Sequence, residues 1–223
     1  MNDQEKRRYE MLTRVRDFGA MHTTDFPAST LGNQLFTTIG TIVTELDAHA
    51  ANQSSGIRAS QQGTTSKAVA RDRLRRALEE ISRTARSMAF AAPGLDSKFH
   101  LPRTRKGGDQ ELLNAARSFA ADAAPLKTEF IRHELPATFL ADLDADIESF
   151  EQSVTFKHQG TDTHVAATAA IDEAIEGGTN AVRQLDAIIR NKFRDDSATL
   201  AAWTSASHTE RAPRPKAPAP ATT

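Results

Sequence analysis

The chain has 223 residues, 39% of them hydrophobic, with a formal net charge of −1 and no cysteine. Without cysteine, disulfides, thiol catalysis and cysteine-ligated metal sites are excluded, and the balanced charge argues against a general electrostatic attraction to nucleic acid or membranes. The charged N-terminal segment has no apolar signal sequence, and no stretch approaches the roughly 18 apolar residues of a membrane span. We therefore expect a soluble, cytoplasmic protein.

Apolar residues recur with helical spacing along the first half of the chain, and no segment alternates as a strand does. The first predicted helix covers about residues 3–22, and Pro27 separates it from a second helix that begins near Leu31. Gly63 suits a helix C-terminus, and the threonines and serine that follow it suit the N-cap of a third helix. Pro93 and the glycine after it are expected to end that third helix.

The second half of the chain follows the same plan. Asp109 is expected to cap a fourth helix, and a fifth, long helix from about Phe139 is expected to end at Gly160. A sixth helix extends to about residue 193, and residues 194–208 form a short last helix. Residues 209–223 are rich in proline and alanine, and we expect them to be a disordered tail.

The sequence repeats itself at an offset of 97 residues. Thr44–Ala48 (TELDA) corresponds to Ala141–Ala145 (ADLDA), and Gln62–Ser66 (QGTTS) corresponds to Gln159–Thr163 (QGTDT). Both pairs of segments share one offset, so no gap is needed between them. A repeat of this length indicates a duplicated helical unit.

The two predicted repeats are residues 1–92 and 109–193, and a polar, basic linker of residues 93–108 joins them. Each repeat is predicted to form a short helix followed by a long antiparallel helical hairpin. One hairpin cannot bury its apolar face alone, whereas two related hairpins can pack against each other. The predicted fold is therefore all-α: an elongated four-helix-type bundle built from two tandem repeats, with short capping helices. A pair of separate three-helix units is the alternative.

The two repeats differ most in charge. The third predicted helix is rich in arginine, and Arg75 and Arg76 correspond to Asp172 and Glu173 in the second repeat. Oppositely charged faces favour binding across the internal symmetry axis or head-to-tail between molecules; solvated faces with local i,i+4 ion pairs are the alternative. The predicted interaction face comprises Arg71, Arg75, Arg76, Arg83, Asp172 and Glu173. We expect a non-catalytic scaffold or protein-interaction module that self-associates or docks a protein partner.

A small-molecule-binding or metal-binding bundle is the alternative function. Gly177 and Gly178 fall inside the sixth helix and leave space for a pocket or a hinge, although a local bend is the simpler explanation. Glu45 and His49 share one helical face, and the second repeat has aspartates at the matching positions. The candidate metal ligands are Glu45, His49, Asp142 and Asp146, with an ordinary helix surface as the alternative.

Motifs of known catalytic sites are missing from the sequence. His133 and Glu134 are not followed by the second histidine of a zincin motif, and the chain has no nucleophile elbow, P-loop or dinucleotide fingerprint. We therefore expect no enzymatic activity and no cofactor. The linker carries four cations suited to phosphate contacts, which are Lys98, Arg103, Arg105 and Lys106. A solvated connector is the simpler interpretation of this segment, so we expect no nucleic-acid partner.

Overall fold

The computed structural model describes residues 1–101 and 108–210, and within these ranges the chain forms helices and no strand. The all-α fold class expected from the periodicity is therefore confirmed. The helices are α1 (Asp3–Met21), α2 (Leu31–Met88), α3 (Leu95–Lys98), α4 (Asp109–Ala123), α5 (Lys127–Arg132), α6 (Phe139–Lys192) and α7 (Ser197–Ser207), with a 3₁₀ turn at Ala124–Leu126. No helix in the described ranges combines the length and apolarity needed to cross a membrane. The proline-rich tail from residue 211 onward lies outside the described residues.

Side-chain caps explain where two of the shorter helices begin. The Asn2 side chain accepts hydrogen bonds from the backbone N–H groups of Gln4 and Glu5, both at 2.9 Å. The Glu5 carboxylate in turn accepts a 2.7 Å hydrogen bond from the backbone N–H of Asn2, which completes a capping box at the start of α1. Asp196 caps α7 through hydrogen bonds from the backbone N–H groups of the second and third residues after it.

The two long helices run through the glycines that were expected to end them. α2 is one helix of 58 residues that includes Gly63, and α6 is one helix of 54 residues that includes Gly160. The predicted helix ends at these two positions are therefore wrong. The hairpins that the breaks would have created within each repeat do not form.

Close approach of the two helix backbones is the physical reason for these glycines. A Cβ atom added to Gly63 would lie 2.7 Å from the Cα atom of Lys157. One added to Gly160 would lie 2.5 Å from the backbone nitrogen of Ser60. Real Cβ atoms do not come so close, so only glycine allows α2 and α6 to pack backbone to backbone at this point.

The chain divides into two compact units that do not follow the order of the sequence. The first unit comprises Met1–Ser55 and the chain from Asp162 onward. Its core is formed by α1, the first part of α2, the last part of α6, and α7. Trp203 lies fully buried there, 5.3 Å from the ring of Phe18, and its indole N–H donates a 2.9 Å hydrogen bond to Asp186.

The second unit comprises Gly56–Thr161. Its core is formed by the last part of α2, the segment around α3, α4, α5 and the first part of α6. Phe99 is fully buried at the centre, with its ring 5.4 Å from the rings of both Phe119 and Phe130. The segment interpreted from the sequence as a polar linker thus supplies one of the core aromatic residues of this unit.

Candidate functional site

The arginines of α2 are distributed over two flanks of its buried stripe. In the second unit that stripe consists of Leu74, Leu78, Ile81 and Ala85. Successive residues on a helix are about 100° apart, so Arg75 and Arg76 point in different directions. They line two different clefts. The interaction face predicted from Arg71, Arg75, Arg76 and Arg83 is therefore divided by the structure.

The first cleft, here called the arginine cleft, has a volume of about 480 Å³. It is lined by Arg75, Glu79, Ser82, Arg83, Arg86, Asp96, His100 and Leu101. Glu79 lies 3.1 Å from the Arg75 guanidinium, and Arg86 donates a hydrogen bond to the backbone oxygen of Ser82 at 3.3 Å. Within the described ranges Arg83 makes no hydrogen bond or ion pair. Arg83 and Arg86 therefore form no ion pair with a described carboxylate, although Glu79 and Asp96 also line the cleft.

An aromatic side chain lies next to this cleft in the sequence. Phe90 follows Arg86 by four residues and is 95% exposed. Arginine and aromatic residues are enriched in protein interfaces, where they provide much of the binding energy. The predicted interaction face included neither Arg86 nor Phe90, although the i,i+3 spacing of Arg83 and Arg86 places these two arginines on one side of the helix.

The second cleft, here called the mixed-charge cleft, has a volume of about 390 Å³. Its lining residues are Arg73, Arg76, Ala77, Glu80, Ile81, Leu135, Pro136, Phe139, Asp142 and Asp146. Asp146 has a side chain only 7% exposed, and it pairs with Arg73 at 2.6 Å. Burial raises the pKa of Asp146, and the charge of Asp142 adds to this effect, while Arg73 and Arg76 oppose it. This cleft therefore contains both signs of charge above an apolar floor.

Arg71 is an internal anchor of the fold. Lys67 and Arg71 both contact the carboxylate of Asp109 at the start of α4, at 2.7 and 2.5 Å. Burial raises the pKa of Asp109, but the hydrogen bonds and charges of Lys67 and Arg71 outweigh burial and lower it. Asp109 was expected to cap α4; in the structure it is the first helical residue, and its carboxylate ties α4 to α2.

The acidic residues predicted for the interaction face lie on α6 in the first unit. Asp172 and Glu173 are exposed, and Glu176 lies one turn further along the same face. None of these three makes an ion pair with another described residue. Val165 lies two turns before Asp172 on that face and is 59% exposed. We call Val165, Asp172, Glu173 and Glu176 the acidic face.

The space beside the helix glycines is filled by a core side chain. A Cβ atom added to Gly178 would lie 2.7 Å from Cδ1 of Leu12 and 3.4 Å from Cγ2 of Ile42. α6 continues as a helix through both Gly177 and Gly178. The pocket or hinge predicted here is replaced by close packing of α1 against α6.

The predicted metal ligands do not form a cluster. Glu45 and His49 lie on α2 in the first unit, and Asp142 and Asp146 lie on α6 in the second. Across residues 1–101 and 108–210, no group of three or more histidine, aspartate or glutamate side chains is arranged to hold a metal ion. Asp146 is instead engaged by Arg73.

Of the linker cations, Lys98 pairs with Asp122 at 3.1 Å. Arg103, Arg105 and Lys106 lie outside the described residues. Comparisons of the chain with models of protein families, with curated proteins and with solved structures find no match. The functional inference therefore depends on the chain's own residues.

Proposed function

We propose that the protein is a non-catalytic scaffold or protein-interaction module whose arginine cleft binds the acidic face of a second copy of the chain. The observation that supports this proposal is that Arg83 and Arg86 form no ion pair with a described carboxylate. Among the described residues Arg83 makes no hydrogen bond or ion pair, and Arg86 bonds only a backbone oxygen. Cationic groups that form no ion pair with a described carboxylate favour an external anion, and the exposed Phe90, four residues after Arg86, favours a protein over a small ion.

Charge complementarity supports a second copy as the occupant. The acidic face offers three exposed carboxylates on one side of α6 and, at Val165, an apolar side chain two turns away. The arginine cleft offers Arg83 and Arg86, which form no ion pair with a described carboxylate, and the exposed Phe90 follows Arg86 by four residues, just beyond the end of α2. The two surfaces therefore match in both charge and apolar character. Because they are different surfaces, the contact is heterologous, and each molecule can bind two others.

The magnitude of such an interaction is modest. Exposed ion pairs contribute roughly 0.2–1 kcal/mol each and are screened by salt. We therefore expect dissociation constants between about 1 µM and about 1 mM, which correspond to roughly −8 to −4 kcal/mol. Association should be visible at low ionic strength and disappear as salt is added.

We also propose that the two long helices derive from a duplicated unit. The two glycine contacts support this: Gly63 meets Lys157, and Gly160 meets Ser60. Gly160 corresponds to Gly63, and Lys157 corresponds to Ser60, each by the repeat offset of 97, so the two contacts exchange the roles of the repeats. Contacts around a two-fold axis come in matched pairs of this kind.

The self-association proposal is tested by two charge-reversed variants. The first, R83E/R86E, makes the cleft acidic; the second, D172R/E173R/E176R, makes the α6 face basic. Each variant alone brings like charges together, so neither should associate. An equimolar mixture restores one native contact and creates one reversed contact, so the mixture should associate at least as well as the wild type. Arg58→Glu changes an exposed α2 arginine outside both clefts and serves as the matched control.

Sedimentation velocity at low and high salt gives the readout. Association of the wild type and of the mixture, without association of either variant alone, would support the proposal. If the wild type remains monomeric at low salt up to high concentration, the second copy is not the occupant. If the mixture remains monomeric although the wild type associates, self-association uses other surfaces.

A further inference from the structure

The mixed-charge cleft lies between two helices and one turn of the second unit. α2 contributes residues at i, i+3, i+4, i+7 and i+8, from Arg73 to Ile81, so one face of that helix forms a continuous wall. The first two turns of α6 form the opposite wall, and Leu135 and Pro136 close one end. The volume of about 390 Å³ falls within the range of about 300–1,000 Å³ typical of small-molecule pockets.

A strained turn fixes the closed end of the cleft. The N–H of Leu135 donates to the carbonyl of Phe130, and the N–H of Glu134 donates to the carbonyl of Ile131, which is the Schellman arrangement at the end of α5. Glu134 has a φ of 66°, a conformation usually left to glycine. This residue is the only non-glycine with positive φ among the described residues. The backbone of Leu135 is thereby hydrogen-bonded to the end of α5, and Leu135 and Pro136 line the cleft there.

Some charged side chains of both signs in this cleft form no ion pair, although the positive charge of Arg76 acts on Asp146. Arg73 forms an ion pair with the buried Asp146. Arg76 and Glu80 are four residues apart on one helix, a spacing that suits an ion pair. They nevertheless make no such pair, and neither forms a hydrogen bond with any described residue. Asp142 accepts a hydrogen bond only from the hydroxyl of Thr138, at 2.9 Å. A guanidinium and two carboxylates are therefore available to a ligand.

The floor between these charges is apolar. Ile81 and Phe139 are 2% and 7% exposed, and Ala77, Leu135 and Pro136 complete the surface. A ligand that satisfies this lining needs an anionic group for Arg76, a cationic group for Glu80 and Asp142, and a short apolar body for the floor. We propose that the mixed-charge cleft binds a free α-amino acid with an aliphatic side chain, its carboxylate on Arg76 and its ammonium group on Glu80 and Asp142.

This site is independent of the self-association surfaces. None of its lining residues belongs to the arginine cleft or to the acidic face. The two proposals can therefore fail separately. The pKa of Asp146, which burial raises, is consistent with a cleft that is shielded from water on one side.

The test is calorimetric titration of the full chain with L-leucine, up to about 10 mM in view of the modest affinity expected of a small ligand. Two analogues serve as matched probes: 3-methylbutylamine lacks the carboxylate, and 4-methylpentanoate lacks the amine. If the cleft recognises the zwitterion, L-leucine should bind and raise the melting temperature, and each analogue should bind at least about tenfold more weakly. Valine, isoleucine and methionine should bind within the same range as leucine.

Variants locate the binding. Arg76→Gln and Glu80→Gln change exposed side chains without ion-pair contacts, so the apo protein should keep its melting temperature, and leucine affinity should fall at least about tenfold. Arg58→Gln should leave binding unchanged. The proposal is overturned if none of the four amino acids binds, if 3-methylbutylamine binds as well as leucine, or if Arg76→Gln binds leucine normally.

Discussion

Gly160→Ala should destabilise the protein by about 1–2 kcal/mol. The added methyl group would lie 2.5 Å from the backbone nitrogen of Ser60 and 2.9 Å from the carbonyl carbon of Ala59. Both atoms belong to the α2 backbone, so the two helices must move apart to accept it. Overpacking of this kind costs roughly 1–3 kcal/mol, while the better helix propensity of alanine recovers up to about 1 kcal/mol. The steric cost therefore exceeds the gain.

Gly40→Ala is the matched control, because Gly40 lies inside the other long helix, α2, and an added Cβ atom meets nothing within 4 Å. It should stabilise the protein by up to about 1 kcal/mol through helix propensity alone. The assay is urea unfolding followed by circular dichroism and by fluorescence of the single tryptophan, Trp203. Two probes are needed because two compact units need not unfold together. If Gly160→Ala proves as stable as Gly40→Ala, the close helix crossing is refuted.

Three further substitutions test other contacts. Gly178→Ile should lower the melting temperature, because its Cβ atom would lie 2.7 Å from Leu12. A higher melting temperature would instead support the pocket that the sequence predicted at this position. Glu134→Gly should increase the free energy of unfolding in urea by about 1 kcal/mol by relieving the positive φ, and no change would contradict that explanation. Asp109→Asn should destabilise at neutral pH, and thermal unfolding should show the deficit shrinking below about pH 4. Burial raises the pKa of Asp109, but Lys67 and Arg71 lower it overall. A carboxyl group whose pKa is lower in the folded state stabilises the protein above its unfolded pKa, and this stabilisation is lost as pH falls through its folded pKa. If the stability difference between Asp109→Asn and the wild type does not change with pH, Asp109 acts in another way.

Local periodicity was sufficient to predict most of the core positions. Leu12, Val15 and Phe18 follow one another at three-residue spacing in the sequence, and all three lie buried on one face of α1. Phe99 was missed because it stands alone among polar and basic residues, without a periodic stripe to mark it. Its burial depends on Phe119 and Phe130, which follow it by 20 residues or more and form its pocket only in the folded chain.

The glycines show why the helix boundaries were predicted wrongly. Gly63 and Gly160 carry the same local signal as a helix end, and the difference lies in a partner almost a hundred residues away. Gly178 was interpreted as open space for a similar reason, since only the structure shows that Leu12 occupies it. The sequence shows which positions are glycine. It does not show which neighbouring atoms leave no room for a side chain there, because only the tertiary fold brings those atoms close.

The candidate sites could be predicted only in part. The arginine-rich part of α2 is evident from the sequence, and the angle of about 100° between successive helical residues indicates that Arg75 and Arg76 point in different directions. The sequence does not show which of these arginines form ion pairs, because the partners lie on other helices: Arg71 pairs with Asp109 of α4, and Arg73 pairs with Asp146 of α6. Arg76 and Arg83, by contrast, form no ion pair with a described residue.

The measurement that tests the central claim most directly is the mass of the wild-type protein in solution as a function of concentration and salt. One chain has a mass of 24.3 kDa. At low salt we expect the weight-average mass from light scattering or sedimentation to rise above this value with concentration, and to return to it as salt screens the charges. A mass of 24.3 kDa at every concentration and salt condition would contradict the proposed self-association of the arginine cleft with the acidic face.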